Sequence, residues 1–501
     1  MTVSAVTAMT NRIGPDDVPA RDGRTMEVLS PSDGSVVAHM PRSGSADVDA
    51  AVAAARAAFK TWSRVPAPVR GEVLFRAGQL LVERKDAIAH VMAREMGKRV
   101  EEARGDIQEA IDTCWYAGAE GRRLFGHTAP SELPRKLGMT LRRPIGVVGV
   151  ITAWNFPVAV PSWKILPALV CGNTVVWKPS EEAPRSGHLL AQCLWDAGLP
   201  AGVLNVVHGT GDEVGSAIVA HPDTQVLTFT GSTAVGRRIY ETAGRMLKRV
   251  SLEMGGKNPV IVLPDADLDL AVDGVLWGAF GTAGQRCTAT SRLIAVGDVA
   301  DRMLPKLVAR AKAMVLGDAL TPGVDVGPIV TKRQRDKIHG YVEKAVAEGG
   351  KVLCGGAIPT DPALAKGWFY PPTVVDGVAP GSTLAMEEVF GPVLAVIRAR
   401  DLDEAIAIAN EVPYGLSSSI YTANVNAAFV AVESIDAGIT YVNAPTIGAE
   451  AHFPFGGVKA TGNGHREGGW APYEFFTEVK TVYIDYSGAL QRAQIDNRTE
   501  E

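Results

Sequence analysis

The chain has 501 residues, 46% of them hydrophobic and 21% charged, with 53 glycines, 31 prolines and a formal net charge of −5. That length exceeds what a single hydrophobic core serves, so two or three folding units are expected, and the composition excludes a mainly disordered, collagenous or coiled-coil chain. Mild acidity with no basic block argues against nucleic acid or an anionic membrane as the main partner.

The five cysteines, Cys114, Cys171, Cys193, Cys287 and Cys354, are scattered and form no C-x-x-C pair. A disulfide framework or zinc site is therefore not expected, no H-E-x-x-H spacing offers another metal, and a reducing cytoplasm fits best. Residues 1–17 lack the charged-then-apolar order of a secretory signal. The most apolar run, residues 145–154, falls well short of the ~20 residues that span a bilayer.

Residues 25–41 read as two short strands joined at Asp33-Gly34, a common hairpin turn pair. Residues 46–62, 70–96 and 100–125 follow with apolar side chains at helical spacing. From Pro144 the pattern becomes short Val/Ile-rich runs, each followed by a helix-like stretch: residues 146–151, 174–178, 203–207 and 226–230. This alternation marks a parallel α/β sheet, and four such strands make about one nucleotide-binding domain. A second series opens at residues 258–263 and the helix-like 267–280. No Ser-, Pro- or charge-rich linker separates the two, so they are expected to pack closely with a boundary near Gly255.

Several segments carry residues suited to chemistry. In GTAGQRCTAT, residues 281–290, Cys287 follows glycines and a Gln on a stretch too polar for core structure. Arg286 beside it would favour the thiolate and make the thiol a nucleophile; the competing reading is an inert cysteine in a connecting loop. In SLEMGGKNP, Glu253 ends an apolar segment before two glycines. Partial burial there would raise its pKa and make it a base for water, whereas a solvated Glu would simply pair at the surface. Asn155, in AWNFP, stands just beyond the strand-like 146–151, where α/β sheets bind ligands and where an amide donor can hold an oxyanion. Asn-Phe-Pro is equally a turn.

In VVWKPSEEAP, Lys178 stands at another strand end, with Pro179 and Ser180 opening a helix. Lys178 and Glu181 could hold the two hydroxyls of a ribose, and Glu181 would repel a 2′-phosphate, favouring NAD over NADP; helix capping is the alternative. HGTGDEVG and FTGSTAVG are Gly-rich turns without the G-x-G-x-x-G fingerprint, although a helix start near Gly231 and Ser232 suits a pyrophosphate.

AWNFP, TVVWKPSE, FTGS, LEMGGKNP, GQRC, EEVFGP and PFGGVKATGNG, in that order, resemble the aldehyde dehydrogenase superfamily across residues 25–482. The resemblance implies a Rossmann-like NAD-binding domain (residues 1–121 and 145–255), an α/β catalytic domain (256–465) and a small β oligomerisation element (122–144 and 466–501). It implies Cys287 as the nucleophile, Glu253 as the base that activates the deacylating water, and Asn155 with the Cys287 backbone N–H as the oxyanion hole. Lys164 matches a lysine of the cofactor and proton-relay region. Lys178 and Glu181 match adenosine-ribose contacts, Glu388 and Phe390 hold the nicotinamide riboside, and Phe229, Gly231 and Ser232 match the family's departure from the usual phosphate turn. Trp154, Ser180, Gly211, Gly215, Thr230, Val235 and Leu252 complete the implied cofactor contacts. Coenzyme A-acylating relatives typically lack the carboxylate at position 253, so the implied product is free acid.

The runs GQRCTATSR and YVNAPTIGAE resemble bacterial enzymes of semialdehydes, 2-oxoglutarate semialdehyde among them. Arg286 is the expected partner of a substrate carboxylate, or else a structural arginine; Phe156 and Trp163 are expected at the substrate mouth. The alternatives are a general aliphatic or aromatic aldehyde dehydrogenase and a cofactor-independent thiol esterase. A homodimer or homotetramer is implied by analogy alone.

Overall fold

The computed structural model describes residues 6–492, so the outermost ends of the expected domain ranges, residues 1–5 and 493–501, lie outside the described residues. The hairpin forms as expected, Thr25–Leu29 antiparallel to Val36–Pro41, with Gly34 at φ +72° in the turn where a Cβ would be strained. Three helices follow, Ser45–Trp62, Ala67–Met96 and Val100–Glu120. The third stops five residues before the expected end, because Gly121 and the charged Arg122 and Arg123 leave no apolar face to bury.

The first α/β unit is a seven-stranded sheet in the order Arg249–Glu253, Thr224–Thr230, Val147–Ile151, Thr174–Lys178, Leu204–Val206, Asn11–Ile13 and Asp16–Val18. The first five are parallel. Side chains alternate across the sheet as a two-residue period requires. Val148, Val150, Val175 and Trp177 enter a core with Ala67–Met96, Val100–Glu120 and Ala159–Val170, whereas Val147, Ile151, Val176 and Phe229 face Ser45–Trp62 and Thr233–Arg245. Arg249–Glu253 is a strand that the sequence reading lacked, and Asn11–Ile13 adds an antiparallel edge from far upstream.

In chain order the parallel strands run outward from Val147–Ile151 in both directions. The order reverses between Val147–Ile151 and Thr224–Thr230, and open α/β sheets bind ligands beyond the strand ends at that reversal. Register makes the crevice concrete: Ile151 pairs with Phe229 and with Lys178, and Thr230 pairs with Glu253. Candidate residues from four strands therefore share one sheet end.

The second unit is another seven-stranded sheet, ordered Lys351–Cys354, Thr373–Asp376, Val393–Ala399, Thr290–Val296, Asn258–Val262, Ser417–Tyr421 and Ile439–Val442. Leu268–Phe280 and Val299–Ala313 pack on one face, and Lys332–Ala347 and Leu402–Asn410 on the other. Asp267 caps Leu268–Phe280, its carboxylate accepting from the N–H of Asp269 and Leu270 at 3.0 and 3.1 Å.

A three-stranded antiparallel sheet stands apart, Thr477–Asp485 against Lys136–Pro144 against Thr128–Pro130. Within the implied oligomerisation element, one edge of the C-terminal strand is hydrogen-bonded along nine residues to Lys136–Pro144 of its own chain. Its other edge meets no strand among the described residues. Residues 466–476, assigned above to the oligomerisation element, instead join the main body: Glu467 is buried, and Tyr473, Phe475 and Phe476 enter the core around Ala159–Val170. No helix among the described residues is long and apolar enough to cross a membrane.

Candidate active site

Cys287 lies on the loop between Leu268–Phe280 and Thr290–Val296. Thr282 and Ala283 take left-handed backbone angles, φ +52° and +53°, a conformation that non-glycine residues hold only when surroundings enforce it. The enforcement is visible: Glu102 accepts from the Thr282 N–H at 2.7 Å, Gln285 accepts from Val330 N–H at 2.9 Å, and Asn258 donates to the Cys287 and Ala289 carbonyls at 2.8 and 2.9 Å. A thiol held this rigidly is aimed rather than left to fluctuate.

Cys287, Glu253 and Asn155 line one cleft, with Trp154, Thr230, Gly231, Ser232, Glu388 and Phe390. Glu253 is the last residue of its strand and 4% exposed, and its Oε1 has no hydrogen-bond partner. Burial, reinforced by the Glu467 carboxylate, raises its pKa well above the ordinary range, against a smaller lowering by Lys164. Cys287 is likewise pushed up, by burial first and then by Glu253 and Glu388, while the Thr288 and Cys287 backbone N–H groups act the other way. Burial thus biases both groups of this one cleft towards their neutral forms.

The C-terminal run holds this corner in place. Asn463 accepts from Leu252 N–H at 2.9 Å and donates to the Val250 carbonyl at 2.7 Å, and Met254 N–H donates to the Thr461 carbonyl at 2.8 Å. The PFGGVKATGNG segment thus extends the sheet edge that ends in Glu253. Leu252 turns its side chain into the core.

A second cavity opens on the other side of Gly231 and Ser232, lined by Gly211, Gly215, Phe229, Val235 and Ile239. Between the two, Ser232 caps the helix Thr233–Arg245, its Oγ accepting from Val235 N–H at 3.4 Å. Lys178 Nζ donates to Glu181 at 2.6 Å and to the Pro179 carbonyl at 3.0 Å, and Glu181 also accepts from Gly211 N–H at 3.4 Å. Glu181 is held in the carboxylate form, burial being outweighed by Lys178. Ser180 sits beneath it, its Oγ accepting from Glu182 N–H at 3.3 Å. The fit for a dinucleotide is good: an apolar slot, a helix start for the pyrophosphate, and a carboxylate–lysine pair for a ribose. Glu388 closes the other end. It accepts from Gly256 N–H at 3.0 Å, and a Cβ on Gly255 would collide with its carboxylate. Phe390, at φ +58°, meets Trp154 edge to face at 5.5 Å.

On the far side of Cys287 lies a third cavity, of about 290 Å³, lined by Phe156, Trp163, Arg286, Glu109 and Phe455. Cys287 is the meeting point of the first and third.

The whole-chain comparisons agree with this layout. Residues 18–482 match the model of the aldehyde dehydrogenase family. The chain is 41% identical over 475 residues to the alpha-ketoglutaric semialdehyde dehydrogenase of Bacillus subtilis, covering 95% of this chain and 97% of that protein. It is also 41% identical to malonate-semialdehyde dehydrogenase 2 of Geobacillus thermodenitrificans, covering 94% and 98%. Among solved structures, PnpE from Pseudomonas sp. WBC-3, in its complex with nicotinamide adenine dinucleotide, superposes with a TM-score of 0.94 at 39% identity, covering 96% and 98%. The chain belongs to the aldehyde dehydrogenase family. It is an NAD(P)-dependent aldehyde-oxidising enzyme with that family's fold.

Two expectations about this aldehyde dehydrogenase site need correction. The Cys287 thiol is not lowered as expected beside Arg286: burial and the Glu253 and Glu388 carboxylates raise it. Nor is Arg286 a free receiver for a substrate carboxylate: it donates to Thr282 Oγ1 at 3.0 Å and to Glu102 at 3.3 Å, and its guanidinium stacks over Trp277. Its charge is engaged in holding the loop, as the structural reading of it had allowed.

Sequence reasoning also passed over Glu467. It is buried against Lys164 in an ion pair, and Lys164 Nζ donates further to Thr228 Oγ1 at 3.2 Å. The only signal was the charged, Gly-rich run around it, which named no chemistry. Among the described residues no group of three or more His, Cys, Asp or Glu side chains is arranged to hold a metal.

Proposed function

We propose that this enzyme oxidises a short aldehyde bearing a carboxylate, 2-oxoglutarate semialdehyde or a close analogue, to the free acid through a thioester on Cys287. The observation that carries the reading is the position of Cys287 between two cavities, one fit for a dinucleotide and one for a small substrate. Curated relatives that act on semialdehydes, at about two-fifths identity over nearly the whole chain, support the substrate class.

In this reading the Cys287 thiolate, its proton already given up to solvent, adds to the aldehyde carbon. The Asn155 side-chain amide and the Cys287 backbone N–H donate to the alkoxide that forms. NAD, when bound, supplies the acceptor for the hydride of the aldehyde carbon. Lys178 and Glu181 orient its adenosine ribose, the start of Thr233–Arg245 its pyrophosphate, and Glu388 with Phe390 its nicotinamide riboside. Glu253 then deprotonates the water that hydrolyses the Cys287 thioester, and Lys164 with Glu467 gives that proton a buried neighbour. The enzyme is cytoplasmic and assembles as a homodimer or homotetramer, a proposal supported by exposed Val479, Tyr483 and Ile484 on the outer strand.

An aldehyde panel with NAD and NADP at equal concentration tests the reading. We expect kcat/KM for 2-oxoglutarate or succinate semialdehyde to exceed that for hexanal, and NAD to exceed NADP. Equal rates across the panel would remove the substrate class, and turnover without dinucleotide would remove the oxidation.

A further inference from the structure

The substrate-side cavity is lined by a half-buried and a buried side chain, each with an enclosed polar atom that the reaction at Cys287 leaves unused. Glu109, on Val100–Glu120, lines the cavity with its Oε1 enclosed and without a hydrogen-bond partner. Trp163, on Ala159–Val170 and 6% exposed, carries an indole N–H that is equally unpartnered. Buried polar atoms without partners are few in native proteins, and two facing one cavity beside a reactive thiol call for a ligand that completes them.

The neighbouring cations are already engaged. Lys98 Nζ donates to Asp106 at 2.7 Å, and Arg99 and Arg286 both pair with Glu102 at 3.3 Å. Each of these cations is thus already held by a carboxylate, Glu102 being shared by two guanidiniums. Burial pushes the Glu109 carboxyl up to about 8; Asp106 and Asp112 on its own helix raise it as well, and Lys98 and Arg286 lower it. Tyr441, from the strand Ile439–Val442, also faces it, and Arg99, Glu101 and Glu102 line the same cavity. At neutral pH Glu109 is consequently an acid that donates, as the indole does. Two donors without an acceptor suit a carboxylate, which offers two oxygens and no hydrogen.

We propose that the Glu109 carboxyl and the Trp163 indole N–H form a distal subsite that donates hydrogen bonds to the carboxylate end of the aldehyde whose carbonyl lies at Cys287. This inference rests on the substrate class proposed above and adds the residues that select it. Arg286 takes no direct part: it fixes the loop, and selection falls to neutral donors. A neutral donor discriminates against an acid lost to ionisation, so the subsite weakens as Glu109 titrates.

The test is the ratio of kcat/KM for succinate semialdehyde to that for hexanal, taken from about pH 6.5 to about pH 9.5. The ratio cancels ionisation of Cys287 and Glu253, which both substrates share. In the wild-type enzyme we expect the ratio to fall as pH rises through about 8. Glu109→Gln, a donor of nearly the same shape at every pH, keeps the low-pH ratio within about threefold and abolishes its pH dependence. Glu109→Leu lowers the ratio by about tenfold or more, the scale of a lost hydrogen bond to a charged group, and Trp163→Phe by a smaller factor. A wild-type enzyme without any preference for the acid would overturn the substrate class. A clear preference that is indifferent to Glu109→Leu would overturn the subsite while leaving the substrate class intact. A preference for 4-aminobutanal that grows with pH would also overturn it, by making Glu109 the counter-ion of a cation.

Discussion

On the cofactor side of Cys287 the walls are strand ends and helix starts: Ile151, Lys178, Thr230 and Glu253 leave one sheet edge, and Gly231 and Ser232 begin a helix. On the substrate side the walls are side chains from the helix Val100–Glu120, from Ala159–Val170 and from the loop around Phe455, tied by buried ion pairs. The first wall is made of backbone geometry, which a fold fixes once and which tolerates little change. The second is made of rotamers and charges, which can be exchanged without disturbing a strand. The function proposed above gives chemistry and cofactor choice to the first region and choice of aldehyde to the second.

Substitutions can break that division, and the largest effect is expected where the two regions meet. Cys287→Ala removes the proposed nucleophile and is expected to lower aldehyde-dependent NADH formation on the order of 10⁴-fold or more while NAD still binds, measured by titration of tryptophan fluorescence. Retained binding would confirm that the cofactor wall stands without the thiol. Asn155→Ala keeps both walls but removes an oxyanion donor, and a loss of about 10²–10³ in kcat is expected from stopped-flow and steady-state traces.

A pH profile divides the regions in another way. Glu253 and Cys287 both have raised pKa values, mainly from burial, and the reaction needs them deprotonated. Below those values kcat/KM for hexanal, through the Cys287 thiolate, and kcat, through Glu253, should each rise by about tenfold per pH unit and then level off. A profile flat across neutral pH would mean that the buried carboxyl takes no part. The smallest effect is expected furthest from the thiol: Glu181→Gln leaves Lys178 without its carboxylate partner and should narrow the NAD over NADP preference by about tenfold, read from paired KM values.

The same contrast decided what could be read from the sequence. Cys287, Glu253, Asn155 and Lys178 each follow glycines or a periodic run, which marked them as candidates with a competing structural reading; their roles came from the resemblance along the whole chain. The switch point followed from strand order, although Arg249–Glu253 was missed because five residues with two charged ends show little apolar period. Glu467 was not legible because its partner Lys164 lies 303 residues away. Arg286 was read from its neighbour Cys287, whereas its actual partner, Glu102, comes from a helix 184 residues earlier. Glu109 gave no signal at all: on Val100–Glu120 it looks like any helical glutamate until the cavity closes around it. Sites written along the backbone survive translation from sequence, and sites assembled across it do not.

The thioester on Cys287 is the claim on which both regions depend. Glu253→Gln removes the base for hydrolysis while leaving the thiol, the oxyanion donors and the cofactor wall in place, so the acyl-enzyme should accumulate. Mass spectrometry of Glu253→Gln quenched after mixing with NAD and succinate semialdehyde is predicted to find a succinyl adduct on the peptide containing Cys287, together with one equivalent of NADH. Full turnover without an adduct, or an adduct on another cysteine, would contradict the account.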